Sequence, residues 1–81
     1  MYERRTKEAP PLPPPPIGTI GRTRPPSDVR VGDFVYLGGE YQRVRDMRSA
    51  GTAAHRVLIF AGREPWVMRE ARTTYRPLEF L

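Results

Sequence analysis

Cysteine is absent from this chain of 81 residues, and histidine and lysine occur once each. Without thiols the chain has no disulfides to reinforce a small core. One imidazole, His55, together with carboxylates does not make a structural zinc site. His55 is also the only imidazole available as a catalytic base, and no serine or aspartate is spaced to complete a hydrolytic triad around it. Long apolar runs are missing too. The longest, Val57 to Ala61, has five residues and falls far short of a membrane span, and the charged, proline-filled N-terminus has no signal-peptide core. A soluble, cytoplasmic protein with no membrane contact is therefore expected. Gly38-Gly39 lacks the lysine and following helix of a phosphate-binding loop and reads as a turn, while Glu64 and Glu70 read as solvated surface. The inventory predicts no enzyme: no catalytic residue, no cofactor, no metal and no small-molecule substrate.

Proline and arginine are abundant instead. Eight of the ten prolines lie in Met1 to Asp28, where Pro10-Pro11-Leu12-Pro13-Pro14-Pro15-Pro16 has too few amide donors for a helix or a central strand. Such a run samples the polyproline II conformation. Its flanks, Glu3 to Glu8 and Gly21 to Pro26, are polar, and Ile17 and Ile20 are the only sizeable apolar residues after Leu12. Residues 1–28 are accordingly expected to be a disordered Pro-rich arm, unable to bury enough surface to offset its ordering entropy.

At Val29 the composition changes to β-branched and aromatic residues, and residues 29–81 are expected to form one small domain of about 53 residues, near the lower limit for an unaided core. Val31-Gly32-Asp33 reads as a tight turn feeding the strand Phe34 to Leu37. Gly38-Gly39 supplies the positive φ angles of a two-residue hairpin. Glu40 to Met47 is the next strand, with Arg43 and Arg45 on one face, Val44 on the other, and a slip of phase near Met47 that marks a bulge. His55 to Phe60 is a third strand, apolar at every position from Val57 onward. Pro65 to Arg69 is a fourth, and a fifth falls around Tyr75 to Phe80, where Pro77 implies a sheet edge.

Five short strands with no helical periodicity beyond one turn predict an all-β fold, a small five-stranded barrel. The opening Val31-Gly32-Asp33-Phe34-Val35-Tyr36-Leu37-Gly38 resembles the first strand of small SH3-like barrels. Val29 to Phe80 as a whole is similar to short actinobacterial proteins of that shape, though it lacks the further spaced glycines of the nucleic-acid-binding KOW type.

Two features point toward binding. The first is protein contact. Pro10, Pro11, Leu12, Pro13 and Pro14 carry the PxxP spacing of a preformed ligand for aromatic-lined grooves. The strand Val57-Leu58-Ile59-Phe60 would also turn one pair of apolar side chains outward, either Val57 and Ile59 or Leu58 and Phe60; with Leu58 and Phe60 in that role it would dock a partner, a second copy or the arm. The second is charge. Thirteen arginines contribute to a net +5, and Arg43, Arg45, Arg48, Arg56 and Arg69 would form a phosphate-binding face if their strands are paired as a meander, with Tyr41, Trp66 or Tyr75 as stacking surfaces. Residues 29–81 carry nine arginines against six acids, however, which also describes an ordinary solvated surface. The leading expectation is a non-enzymatic protein-protein interaction or accessory assembly subunit; the alternative is a nucleic-acid-binding protein.

Overall fold

Gly38 and Gly39 organise the first hairpin. Both have positive φ, +59° and +86°, so the chain reverses in two residues with a twist that matches the strands on either side. A computed structural model describes residues 12–81. Its strands are β1 (Thr19–Arg24), β2 (Phe34–Leu37), β3 (Glu40–Ser49), β4 (Arg56–Phe60), β5 (Trp66–Met68) and β6 (Arg72–Pro77). Short 3-10 turns occupy Pro26–Asp28 and Leu78–Phe80.

All strand pairs are antiparallel, in the order β1-β6-β2-β3-β4-β5. The fold is therefore all-β, but the described residues form six strands in place of the five read from the sequence, and the sheet is open, with β1 and β5 at the two edges. The additional strand is β1, which falls inside the segment assigned to the arm. It pairs with β6 along its whole length, from Thr19 opposite Pro77 to Arg24 opposite Arg72. Hydrophobic patterning does not reveal it because its one deeply buried side chain is Arg24. With β1 in place, β6 is internal, not an edge. Pro77 is tolerated there because it stands last in the strand, and the chain then turns through Leu78–Phe80.

The bulge lies at Arg45, two residues before the expected slip. Val44 is opposite Phe60 and Asp46 opposite Ile59, leaving Arg45 unmatched. Val44 and Met47 are an odd number of residues apart, so a regular strand would turn one of them to solvent. The extra residue allows both to face the core.

That core consists of Val29, Val35, Leu37, Val44, Leu58, Phe60 and Met68, with Met47 and Trp66 packed against it. Beside it lies a buried polar hub. Asp33 is 0% exposed and Arg76 5%. Arg76 donates from Nε and Nη2 to the two carboxylate oxygens of Asp33 at 2.8 and 2.9 Å, and its Nη2 also reaches the Asp28 carbonyl at 2.7 Å. The Arg30 amide donates to the same carboxylate at 2.9 Å. The Asp33 carbonyl accepts from the Val44 amide at 2.8 Å, which ties the turn to β3. Arg24 donates to the carbonyl and hydroxyl of Thr74, and its Nε lies 3.6 Å from the Asp28 carboxylate. One constellation thus clamps β1, β6, the 26–33 segment and β3. Hydrogen bonding to Asp33 raises the Arg76 pKa, while burial first, and the Arg76 charge second, lower that of Arg24.

Candidate interaction surface

Alternation along the strands sends Phe34 and Tyr36 of β2 away from the core, since Val35 and Leu37 point into it. The register adds neighbours to that outer face. Tyr41 is opposite Tyr36, Arg43 and Tyr75 are opposite Phe34 on its two sides, and Gly21 is opposite Tyr75. Three tyrosines from three strands consequently converge. The Tyr36 and Tyr41 rings lie 4.8 Å apart, and Tyr41 and Tyr75 5.2 Å, both edge to face, the arrangement favoured by aromatic quadrupoles.

Gly21 makes room for this cluster. A Cβ there would stand 2.6 Å from Cε2 of Tyr75, so the tyrosine ring lies over β1 because the glycine has no side chain. Gly21→Ala is expected to displace that ring and cost about 1–3 kcal/mol, as overpacking does. Chemical denaturation together with the Tyr75 ring resonances checks this, and an unchanged Tyr75 environment would remove the packing role given to Gly21.

The described part of the Pro-rich segment lies on this face. The Tyr41 hydroxyl donates to the Pro13 carbonyl at 2.7 Å, and the Thr19 hydroxyl to the Pro16 carbonyl at 2.7 Å. Leu12 lines an open groove of about 470 Å³ with Thr23, Tyr36, Ala71, Arg72, Thr73 and Tyr75. With Pro16 beside Thr19 and Leu12 beside Thr23, the segment lies antiparallel to β1, which runs back along it after the turn at Ile17–Gly18. The Tyr41 phenol is held above its ordinary pKa, by burial first and by its neighbour Tyr75 next.

The residues expected to bind protein divide three ways. Pro10 and Pro11 lie outside the described residues. Leu12, Pro13 and Pro14 are exposed and belong to the segment on the tyrosine face. Leu58 and Phe60 do not form a docking surface: they are core residues, and β4 turns Val57 and Ile59 outward instead. The reason is register, because Leu58 is opposite both Met47 and Trp66, on the side where the core closes.

The five arginines are dispersed. Arg43, Arg45 and Arg48 follow the exposed side of β3, but Asp46 interrupts them and lies 3.7 Å from Arg48. Arg56 is opposite Ser49, one position from the pair Arg48 and Val57, which puts it on the other face of the sheet. Arg69 lies past the end of β5, in a groove with Trp66, Glu70 and Arg72. Trp66 does not join the tyrosines; the Arg72 guanidinium sits over its ring at 5.1 Å. Among the described residues no group of three His, Asp or Glu side chains is placed to hold a metal ion, and no helix is long and apolar enough to cross a membrane. The buried hub opens into none of three surface grooves, whose linings are other residues.

Tyr36 is the member of the site that sequence reasoning passed over. A signal for it was present all the same: Tyr36 and Tyr41 flank the Gly38-Gly39 hairpin symmetrically, which makes them a cross-strand pair. No family model, curated protein or solved structure matches this chain. Nothing among them supports the resemblance to SH3-like barrels or to short actinobacterial proteins read from Val31 to Gly38 and Val29 to Phe80, and what stands is a small, open, antiparallel all-β sheet.

Proposed function

We propose that the chain is a non-enzymatic protein-interaction module whose working surface is the outer face formed by Tyr36, Tyr41 and Tyr75. The observation that carries this reading is the peptide segment already lying there, with Tyr41 hydrogen-bonded to the Pro13 carbonyl. Tyrosines suit such a role, since each offers a large rigid apolar surface and a hydroxyl at small entropic cost. Nucleic-acid binding is the weaker reading, because the arginines it needs are spread over both faces of the sheet and interrupted by Asp46.

A pull-down from source lysate, with and without nuclease, tests the choice. The full chain is expected to retain a protein partner that survives nuclease and is lost from a Tyr36→Ser/Tyr75→Ser variant that still folds by circular dichroism. Retention abolished by nuclease, or unaffected by the two substitutions, would overturn the reading. High salt adds a second discriminator: phosphate contacts weaken steeply with salt, whereas aromatic contacts persist.

A further inference from the structure

We propose that the tyrosine face is a receptor for proline-rich, left-handed extended segments, and that Leu12 to Pro16 is its resident ligand, displaced when a proline-rich segment of another protein binds. This inference rests on the preceding reading of the face as the working surface and adds the chemistry of the ligand and the state in which the face is held.

Complementarity between the two parts carries the argument. Pro13, Pro14, Pro15 and Pro16 have carbonyl acceptors but no amide donors, so they cannot add to the sheet as a strand. They can accept hydrogen bonds from side chains, and the face supplies two hydroxyl donors: Tyr41 to Pro13 and Thr19 to Pro16, each at 2.7 Å. These carbonyls are three positions apart, one turn of polyproline II, so both donors meet the same side of such a helix. The pyrrolidine rings hold φ near its polyproline value, so little entropy is lost on docking. Leu12 supplies side-chain discrimination, as the one non-proline residue of the segment, in the groove with Tyr36, Tyr75 and Arg72.

The contact is also built to open. Leu12 remains 55% exposed in its groove, and among the described residues the two hydroxyl bonds are the side-chain hydrogen bonds that join the segment to the sheet. Ile17 and Gly18, which connect it to β1, are exposed, and nothing stands within 4 Å of a Cβ placed at Gly18. A tether this short gives the resident segment a high effective concentration, so a competing segment must make more contacts than the four prolines and one leucine it replaces. The face therefore selects longer proline-rich tracts and rejects short ones.

The test uses the full chain and a full-length variant, Pro13→Gly/Pro14→Gly/Pro15→Gly, in which the resident segment loses its preformed conformation while the sheet is untouched. The probe is a synthetic peptide with the sequence of residues 9–16, titrated against the Tyr36, Tyr41 and Tyr75 ring resonances. The variant is expected to bind the peptide about tenfold or more tightly than the natural chain does, because its competent state is more populated. Adding Tyr41→Phe, which keeps the ring, is expected to weaken that binding by roughly threefold to tenfold, the worth of one hydrogen bond. Absence of a saturable shift in the variant would overturn the inference, as would equal binding of a peptide with every proline replaced by alanine, or tighter binding of oligothymidylate. If the Tyr36→Ser/Tyr75→Ser chain loses its lysate partner while the glycine variant ignores the peptide, the inference falls and the interaction surface stands. If partner retention is also indifferent to the tyrosines, both fall.

Discussion

Asp33→Ala is expected to destabilise the sheet by about 3–5 kcal/mol, the cost of leaving one partner of a buried ion pair without the other. The Asp33 carboxylate is wholly buried and takes three hydrogen bonds, two from the Arg76 guanidinium and one from the Arg30 amide. Its loss leaves Arg76, which is itself buried, with the Asp28 carbonyl as its one hydrogen-bond partner among the described residues. Arg24, already lowered in pKa by burial and by the Arg76 charge, would feel that charge without the compensating carboxylate. A domain this small has a total stability at the low end of roughly 5–15 kcal/mol, so the variant should be largely unfolded in mild denaturant. The paired variant Asp33→Leu/Arg76→Met is expected to recover part of the loss, since removing both charges also removes their desolvation cost. Urea denaturation of the single and paired variants measures this; a loss of less than about 1 kcal/mol for Asp33→Ala would show that the hub does not hold the fold together.

The second large effect concerns β4. Leu58→Ala is expected to cost about 2–5 kcal/mol, the range for emptying a fully buried leucine site. Val57→Thr, one position away and turned outward, is expected to cost less than about 1 kcal/mol. The comparison is informative because the composition of the strand gives no reason to prefer one pair over the other: every position from Val57 to Phe60 is apolar. Denaturant midpoints of the two variants decide it, and equal costs would contradict the burial pattern in which Leu58 is 0% exposed.

Much of the sheet is legible along the chain. The Gly38-Gly39 hairpin, the strands from Phe34, Glu40, His55 and Pro65, and the existence of a bulge in β3 all follow from short-range signals, namely glycines that accept positive φ and residues that alternate with period two. Features that depend on a distant partner escape such a reading. Thr19–Arg24 looks too polar for a strand, yet it is held by a backbone ladder to β6 and by Arg24, whose side chain reaches Thr74, 50 residues later. Val31-Gly32-Asp33 reads as a turn; that its aspartate also neutralises Arg76, 43 residues away, is invisible until β6 lies beside β2.

The candidate site divides in the same way. Proline-rich sequence announces a ligand-like segment, and the spacing of Tyr36 and Tyr41 about a two-residue turn makes them neighbours. Tyr75 joins them only through the β2–β6 pairing, and the Pro-rich segment meets them only because β1 runs on the far side of β6. From the sequence the arm is expected to be disordered, with another protein or β4 as its candidate docking contacts; the described part of it lies across the opposite half of the sheet.

By itself, then, the amino-acid order determined an all-β chain with glycine-turned hairpins and a conformationally restricted proline tract. Tertiary structure alone decided which side of β4 is core, how many strands share the sheet, and which residues gather on its outer face. The physical reason is that turn geometry and side-chain alternation are set by neighbours in sequence, whereas burial and register depend on free energies of pairing between segments that meet only when the whole sheet assembles.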